Sequence, residues 1–216
     1  IAYSLALLGE RPLIMATAGQ DFDAYRLWLD AAGVDTSAIK IVSDVFTASF
    51  FATTDQKLNQ IASFYTGAMA YARDLSFRDL PGAVDLTIIS PNDPGAMDRY
   101  AAECKSLDIP YIYDPSQQVV RAEADSLRDG VVGADILVVN DYEYELLKDR
   151  TKMSDADIRD VVKRAVVVTQ GEKGALIWAG EEIAVPAAPV SEILDPTGVG
   201  DAFRAGFIKG LALGLP

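Results

Sequence analysis

Short apolar runs alternate with helix-like stretches along most of the 216-residue sequence. A short run without polar alternation is typical of a strand buried on both faces, as in a parallel sheet. Strands that alternate with helices predict the α/β class, with a parallel sheet covered by helices on both faces. The strand-like runs are Leu13–Ala16, Leu86–Ser90, Tyr111–Tyr113, Ile136–Val139 and Val166–Thr169, and the helix-like stretches are Ala2–Leu8, Asp23–Ala32, Pro94–Leu107, Tyr142–Lys148 and Ser154–Lys163.

Two segments interrupt this alternation with pairs of strands. Phe46–Thr54 and Ile61–Thr66 are rich in aromatic and β-branched residues and flank the polar turn Asp55–Asn59, which predicts a β-hairpin early in the chain. A second hairpin is predicted within Ala175–Ala187, around the turn Gly180–Glu182.

Composition excludes several classes of function. Half of the residues are hydrophobic and the net charge is −13, so we expect a soluble protein without a nucleic-acid or membrane partner. The sequence has no histidine, which excludes Ser-His-Asp and Cys-His catalysis and zinc sites built on imidazole. The single cysteine, Cys104, fits a reducing compartment, and we expect a cytoplasmic protein in which this side chain lies buried on a helix.

The two ends of the sequence predict a fragment of a longer protein. Ile1 is not a methionine, and it leads directly into an apolar helix without a preceding strand. Pro216 follows another helix, and nothing after it completes the sheet.

One glycine motif carries most of the functional information. The sequence Asp195-Pro196-Thr197-Gly198-Val199-Gly200-Asp201 lies between an extended apolar stretch and a helical one. Glycine allows main-chain N–H groups to approach a ligand closely, and a helix that begins near Gly200 has unpaired N–H groups and a dipole that favour an anion. The motif predicts a phosphate cradle with the carboxylate of Asp201 beside it. The alternative is an ordinary helix N-terminus with two turn glycines.

Two further motifs also follow strands. Asn140-Asp141-Tyr142-Glu143 comes directly after Ile136–Val139, and Thr169-Gln170-Gly171-Glu172-Lys173-Gly174 begins at the end of the next strand. Because open α/β sheets bind ligands beyond the carboxyl ends of their strands, all three motifs lie where a ligand is expected. Asn140 and Glu143 could instead cap a helix, and the second motif could be an ordinary strand exit.

In this order and at these separations, the three motifs resemble those of the ribokinase-like, or PfkB, family of carbohydrate and nucleoside kinases. Asn140 and Glu143 match the family's N-x-x-E motif, and Thr197–Asp201 matches its C-terminal signature, with Val199 where alanine is commoner. The resemblance covers essentially the whole chain and is strongest to bacterial adenosine kinases. It extends over Gln60–Met69, Asp114–Gln118, Asn140–Glu143 and Asp195–Phe207.

The resemblance implies one kinase domain over residues 1–216, folded as a three-layer α/β/α sandwich with a mainly parallel sheet and a small β lid at about residues 44–66. It implies transfer of the γ-phosphate of ATP to an alcohol of a nucleoside or sugar, with the 5′-hydroxyl of adenosine as the expected acceptor. A sugar kinase of the same family and a catalytically inactive fragment remain alternatives.

The resemblance also assigns roles to individual residues. Asp201 would be the base that accepts the proton of the substrate hydroxyl, beside an anion hole for the transferred phosphoryl group. Asn140 and Glu143 would organise Mg²⁺ and the phosphates, directly or through water. The N–H groups of Gly198, Val199 and Gly200 would form the anion hole, and Asn140, Thr169, Gly171 and Thr197 would contact ATP.

Phe50 and Phe64 match lid aromatics that stack on adenine in the enzymes that this chain resembles. The same two residues could instead serve the packing of the hairpin or a dimer contact, and the resemblance implies a homodimer through the lid. The implied cofactors are ATP and Mg²⁺, while a requirement for a monovalent cation is left open. Trp28 and Trp178 are expected to lie in the core.

Two other nucleotide-binding classes agree less well with the sequence. A Rossmann dehydrogenase needs a third glycine where Phe203 stands, and it places its glycine motif near the start of the domain. A Walker-type NTPase is excluded because the sequence lacks G-x-x-x-x-G-K-[ST].

Overall fold

A computed structural model describes residues 1–54, 60–190 and 198–215. The chain divides into two compact units, unit 1 (Ile1–Leu75 with Ile193–Pro216) and unit 2 (Ser76–Glu192). Within the described residues the α-helices are α1 (Ala2–Leu7), α2 (Asp23–Ala31), α3 (Pro94–Leu107), α4 (Ala124–Val131), α5 (Asp141–Thr151), α6 (Asp155–Val161) and α7 (Val199–Ala212). The strands are β1 (Ala16–Gly19), β2 (Ile39–Val42), β3 (Ser49–Thr54), β4 (Gln60–Tyr65), β5 (Thr87–Ile89), β6 (Tyr111–Tyr113), β7 (Ile136–Asn140), β8 (Ala165–Thr169), β9 (Ala175–Trp178) and β10 (Glu182–Val185).

Unit 2 is built on a mixed sheet, which among the described residues has six strands in the order β10-β9-β8-β7-β6-β5. Strands β5 to β8 are parallel and lie side by side in chain order, whereas β9 and β10 are antiparallel additions at one edge. Because crossovers between parallel strands are right-handed, this consecutive order places α3, α4 and α5 on the same face of the sheet. The predicted α/β class and mainly parallel sheet are thus confirmed.

The central strands of unit 2 are buried because their sequences are continuously apolar. The side chains of Ile136–Val139 and Val166–Val168 are almost wholly inaccessible to solvent. From the helices, Leu127, Leu147 and Ile158 are fully buried as well. Burial of an aliphatic side chain of this size stabilises a fold by about 1.5–3 kcal/mol. The predicted burial of the single cysteine on a helix is confirmed, since it lies inaccessible on α3.

Unit 1 contains the parallel pair β1 and β2, with α2 as the crossover between them. Helix α1 packs against α7, where Lys209 forms an ion pair with Glu10. The core cluster around α2 is apolar and consists of Ala18, Phe22, Leu29, Val34 and Ile39.

Both predicted hairpins are present. Strands β3 and β4 pair antiparallel, with Ser49 opposite Tyr65 at the open end. Strands β9 and β10 also pair antiparallel, with Trp178 opposite Glu182 next to the turn. The turn predicted at Asp55–Asn59 lies outside the described residues.

The first strand and two further elements differ from the sequence-based expectation. Leu13 forms one isolated bridge with Asp35, and the strand begins only at Ala16. The sequence analysis missed β2, whose apolar pattern Lys40 interrupts, and α4, which is short and partly charged. In the part of the chain that the structure describes, none of the helices has both the length and the apolar character needed to cross a membrane.

Trp28 lies at the surface of unit 1 and not in the predicted core. Its side chain is 47% exposed, and its ring stacks on Tyr3 at 4.5 Å and on Tyr25 at 5.5 Å between ring centroids. These two rings cover part of the indole without enclosing it. Trp178 of unit 2 is partly buried and stacks on Tyr144 at 6.0 Å.

Candidate active site

The glycine motif forms the start of α7 in unit 1, one residue earlier than predicted. Gly198 is the N-cap, with a left-handed backbone conformation (φ 76°) that side chains disfavour. The first helical bond joins the N–H of Ala202 to the carbonyl of Gly198. The N–H groups of Val199, Gly200 and Asp201 therefore have no partner within the helix, and these three residues are exposed. An anion is favoured at this positive end of a 14-residue helix.

Asp201 lies in the first turn of α7, as predicted, and is exposed. One turn later comes Arg204, to which the sequence analysis gave no role. A Cβ built on Gly200 would lie only 2.7 Å from Nη1 of Arg204, so the guanidinium rests against this glycine. It adds positive charge beside the N–H groups of the helix start. The sequence signal for it is a basic residue four positions after the second glycine. Thr197 lies outside the described residues.

Asn140 and Glu143 lie in unit 2 and form a capping box at the start of α5. The N–H of Glu143 donates to Oδ1 of Asn140 at 2.7 Å, and the N–H of Asn140 donates to Oε2 of Glu143 at 2.9 Å. The helix-cap interpretation is therefore correct. Two polar atoms are not used by the capping box. Nδ2 of Asn140 is a donor suited to a phosphate oxygen, and Oε1 of Glu143 is an acceptor suited to Mg²⁺ or its water. Capping and ligand contact are compatible.

Thr169 ends β8 directly beside Asn140, because the two are register partners on neighbouring parallel strands. Gly171 follows with φ of 58°, and an added Cβ there would meet no atom within 4 Å. Gly174 serves packing, since a Cβ would lie 2.0 Å from the carbonyl oxygen of Val185. Of these two glycines, only Gly171 therefore adjoins open space that a ligand could occupy.

A polar cluster to which the sequence analysis gave no role lies at the carboxyl ends of β5 and β6. Asp114 is 1% exposed, and its carboxylate accepts a hydrogen bond from Oγ of Ser90 at 3.1 Å. Gln118, also buried, donates from Nε2 to the carbonyl of Asn92 at 2.7 Å. Ser116 has φ of 42°, which is uncommon for a residue with a side chain. Polar groups thus continue along the sheet edge from the motifs after β7 and β8. An Asp-Pro pair directly after a strand is the sequence signal.

Phe50 and Phe64 lie directly opposite each other in the register of β3 and β4. Directly paired residues share one face of a hairpin. Their side chains are 65% and 42% exposed. Phe51, on the opposite face, is 63% exposed. The structure therefore brings the two predicted stacking residues together on an open face of the hairpin.

The sequence matches the pfkB family of carbohydrate kinases over residues 1–216. The chain belongs to this family. A nucleoside kinase of Methanothermobacter thermautotrophicus is 31% identical over 205 residues, which are 94% of this chain and 66% of that relative's length. The solved structure of a Burkholderia thailandensis nucleoside kinase in complex with inosine has a TM-score of 0.93 at 33% identity and covers 99% of this chain and 72% of the other. The nucleoside kinase of Methanocaldococcus jannaschii, an archaeal member of the ribokinase family, has a TM-score of 0.92 at 25% identity, over 100% of this chain and 72% of the other.

These likenesses confirm the ribokinase-like fold, and the donor groups of this pfkB chain suit a magnesium–nucleotide complex. Within residues 1–54, 60–190 and 198–215, no group of three or more acidic or cysteine side chains could hold a metal ion by itself. Mg²⁺ usually keeps several waters and binds through one or two carboxylates together with substrate phosphates. Glu143 and Asn140 offer such a limited donor set, and the N-terminus of α7 fits a phosphate group.

Proposed function

We propose that the protein transfers the γ-phosphate of ATP to a hydroxyl group of a nucleoside. The observation that carries this proposal is the start of α7, where N–H groups without a helical partner and the carboxylate of Asp201 share the first turn. Phosphoryl transfer depends mainly on positioning and on neutralising charge, and a helix N-terminus supplies both. Membership of the pfkB family supports the same reaction class.

In unit 1, the proposal gives Asp201 the role of base. Its carboxylate orients the acceptor hydroxyl and takes the proton as the oxygen attacks phosphorus. The N–H groups of Gly198, Val199 and Gly200 bind oxygens of the transferred group, and the guanidinium of Arg204 adds to the positive field there.

In unit 2, the proposal assigns ATP and metal contacts to the motifs after β7 and β8. Asn140 donates from Nδ2 to a phosphate oxygen, and Glu143 binds Mg²⁺ or its water through Oε1. Bound Mg²⁺ would neutralise charge on the phosphates. Thr169 and Gly171 contact ATP, and Thr197 keeps the ATP-binding role that the sequence suggests.

Two observations support a nucleoside over a sugar as the acceptor. The relatives at 31% and 33% identity are named nucleoside kinases, and the second is in complex with inosine. Phe50 and Phe64 form an exposed aromatic pair that suits stacking on a base. Among nucleosides we propose adenosine, phosphorylated at its 5′-hydroxyl. The exposed apolar side chains of the hairpin also support the proposed homodimer through β3 and β4.

An acceptor panel tests the substrate class. ATP consumption is measured with Mg²⁺ and adenosine, inosine, cytidine, ribose or fructose as acceptor. We expect kcat/KM for adenosine to exceed that for ribose by about tenfold or more, because the base adds contacts that ribose lacks. Turnover of ribose or fructose alone would overturn the nucleoside assignment and favour the sugar kinase. Turnover of inosine or cytidine without adenosine would overturn only the adenosine assignment.

The substitution Asp201→Asn tests the catalytic role. Asn keeps the size and the polar character of the side chain but cannot accept a proton as a carboxylate does, so kcat should fall by about 10²–10⁴-fold with little change in the Kd for ATP. Asp23→Asn is the matched control, because Asp23 is also an exposed acid in the first turn of a helix. Equal losses of activity in both variants would mean that Asp201 only stabilises its helix.

A further inference from the structure

A cavity of about 420 Å³ lies in unit 2 at the amino end of β8. Thr169 is at the other end of this strand, about 13 Å away at about 3.3 Å per residue. We call it the basic cavity, because three of the residues that line it are cationic. The lining residues of the basic cavity that carry the argument are Arg159, Lys163, Arg164, Trp178, Glu181 and Glu182.

The cationic side chains of the basic cavity are unusual in so acidic a protein. The sequence has 19 basic residues against 32 acidic ones, yet three of the 19 line this one cavity. Within the described chain, neither Arg159 nor Arg164 forms an ion pair with a carboxylate. Lys163 lies 3.9 Å from Oδ2 of Asp135, at the outer limit of an ion pair, and its side chain is 52% exposed. The three cations outnumber the two glutamates of the lining, although Asp135 beside Lys163 and Asp155 near Arg159 offset part of their charge.

One of the cations, Arg159, is held in place by the surrounding structure. The guanidinium of Arg159 lies 4.1 Å from the ring centroid of Trp178, and Nε1 of that indole donates to Oε2 of Glu182 at 2.8 Å. Stacking uses the flat face of a guanidinium and leaves the N–H groups at its edge available. The backbone N–H of Arg164, directly before β8, donates to the carbonyl of Asp135 at 2.8 Å, and the residue itself is exposed.

We propose that the basic cavity binds a compact anion that carries phosphate groups. A guanidinium presents paired N–H donors that match the geometry of phosphate oxygens, and an ammonium group adds a point charge. The cavity volume lies within the range of small-molecule sites. Within unit 2, the basic cavity lies at the opposite ends of the strands from the motifs after β7 and β8, so it is separate from the ATP contacts proposed for those motifs.

The fluorescence of Trp178 can report binding directly. The sequence contains two tryptophans, so Trp28→Phe leaves Trp178 as the only one. This variant is titrated with pyrophosphate, inorganic phosphate and AMP, and with sodium chloride at matched ionic strength. We expect a saturable change in emission with at least one phosphate compound and none with chloride. The strongest ligand shows whether the site prefers a free inorganic anion or a nucleotide. Responses equal to that of chloride for all three compounds would overturn the proposal.

Single substitutions in the Trp28→Phe background locate the site. Lys163→Gln and Arg164→Gln should each weaken binding about tenfold, because each removes one charge-assisted contact. Lys152→Gln is the matched control: Lys152 is 75% exposed, pairs with Asp149 and does not line the cavity. Thermal unfolding confirms that each variant is folded. Binding that the two cavity substitutions leave unchanged, or that Lys152→Gln weakens equally, would place the anion elsewhere and overturn the proposal.

Discussion

Substitutions of the aromatic side chains in the β3–β4 hairpin can distinguish a role in binding from a role in packing. If Phe64 stacks on the base, Phe64→Ala should raise KM for adenosine about tenfold or more, because base–aromatic stacking contributes about 1–3 kcal/mol. The value of kcat should change little, since the contact lies away from the transferred group. Initial rates over a range of adenosine concentrations measure both constants.

Phe51 supplies the control for this prediction. It lies on the opposite face of the hairpin and is 63% exposed, so Phe51→Ala removes a similar ring without removing the proposed stacking contact. We expect KM for adenosine to stay within about twofold of its original value. An equal rise in both variants would indicate that the rings support only the hairpin or a contact between subunits.

Local patterns made some site residues predictable and left others hidden. Asn140 and Glu143 are three positions apart and satisfy each other's backbone N–H, so their sequence spacing alone fixes their geometry. Asp201 lies three residues after Gly198, whose left-handed conformation at the helix start favours glycine. Asp114 was missed as a site candidate because its burial and its hydrogen bond from Ser90, which is distant in sequence, arise only in the folded chain. Arg204 was missed because only the direction of its side chain brings it to Gly200.

Gly198, the N-cap of α7, and Gly206, within this helix, differ in whether they tolerate a side chain. Gly198 has a positive φ, so Gly198→Ala should destabilise the protein by about 1 kcal/mol and turn the adjacent N–H groups. We expect kcat to fall about 10²-fold, as for the loss of an oxyanion donor. Gly206 is exposed within the same helix and has open space around it, so Gly206→Ala should stabilise by about 1 kcal/mol without changing kcat. Urea unfolding and initial rates give both quantities, and unchanged kcat in Gly198→Ala would contradict the anion hole.

The capping boxes of α5 and α6 allow stability and activity to be separated. Asn140→Asp keeps a good N-cap but removes the Nδ2 donor and adds negative charge, so kcat/KM should fall about tenfold or more while the free energy of unfolding changes by less than about 0.5 kcal/mol. Ser154→Ala removes the cap of α6 and should cost about 1 kcal/mol without affecting kcat/KM. Unchanged kcat/KM in Asn140→Asp would show that Asn140 acts only as a cap.

The success of the element predictions follows the strength of the local signals. The bounds of α3 and β6 were correct, because α3 has Asp93 as N-cap before Pro94 and β6 is a continuously apolar run. The start of β1 was misplaced because a strand exists only where it pairs, and β1 pairs with β2 from Ala16 onward. Strand β2 contains Lys40 among its apolar residues, so no local sequence pattern predicted this strand.

The set of titrating groups across the chain predicts how stability depends on pH. The sequence has no histidine, so no side chain has an ordinary pKa between about 5 and 8. Hydrogen bonds from Lys148 and Ser154 hold the pKa of Asp155 and of Asp157, respectively, below the usual value. Carboxyl groups of this kind stabilise the fold above their unfolded pKa and lose that contribution as pH falls through the folded pKa. We expect a flat free energy of unfolding from about pH 5.5 to 7.5 and a decline below about pH 4.5 in urea titrations. A step near pH 6.5 would contradict this prediction.

On the alkaline side, the first loss of stability should come from the buried thiol. Burial raises the pKa of Cys104 to about 12, whereas the thiol of an unfolded chain loses its proton near pH 8.5–9. Above that pH the unfolded chain binds fewer protons than the folded one, so the free energy of unfolding falls by about 1 kcal/mol between pH 7.5 and 9.5. Burial also raises the pKa of Tyr111, Tyr113 and Tyr144, but unfolded tyrosine ionises near pH 10, so these groups contribute only the smaller part of the decline, at its alkaline end. Cys104→Ala should therefore remove most of the decline between pH 7.5 and 9.5 even though its unfolding free energy is lower throughout. Urea titrations under reducing conditions at three pH values measure the slope, and equal slopes in the two proteins would show that another group controls it.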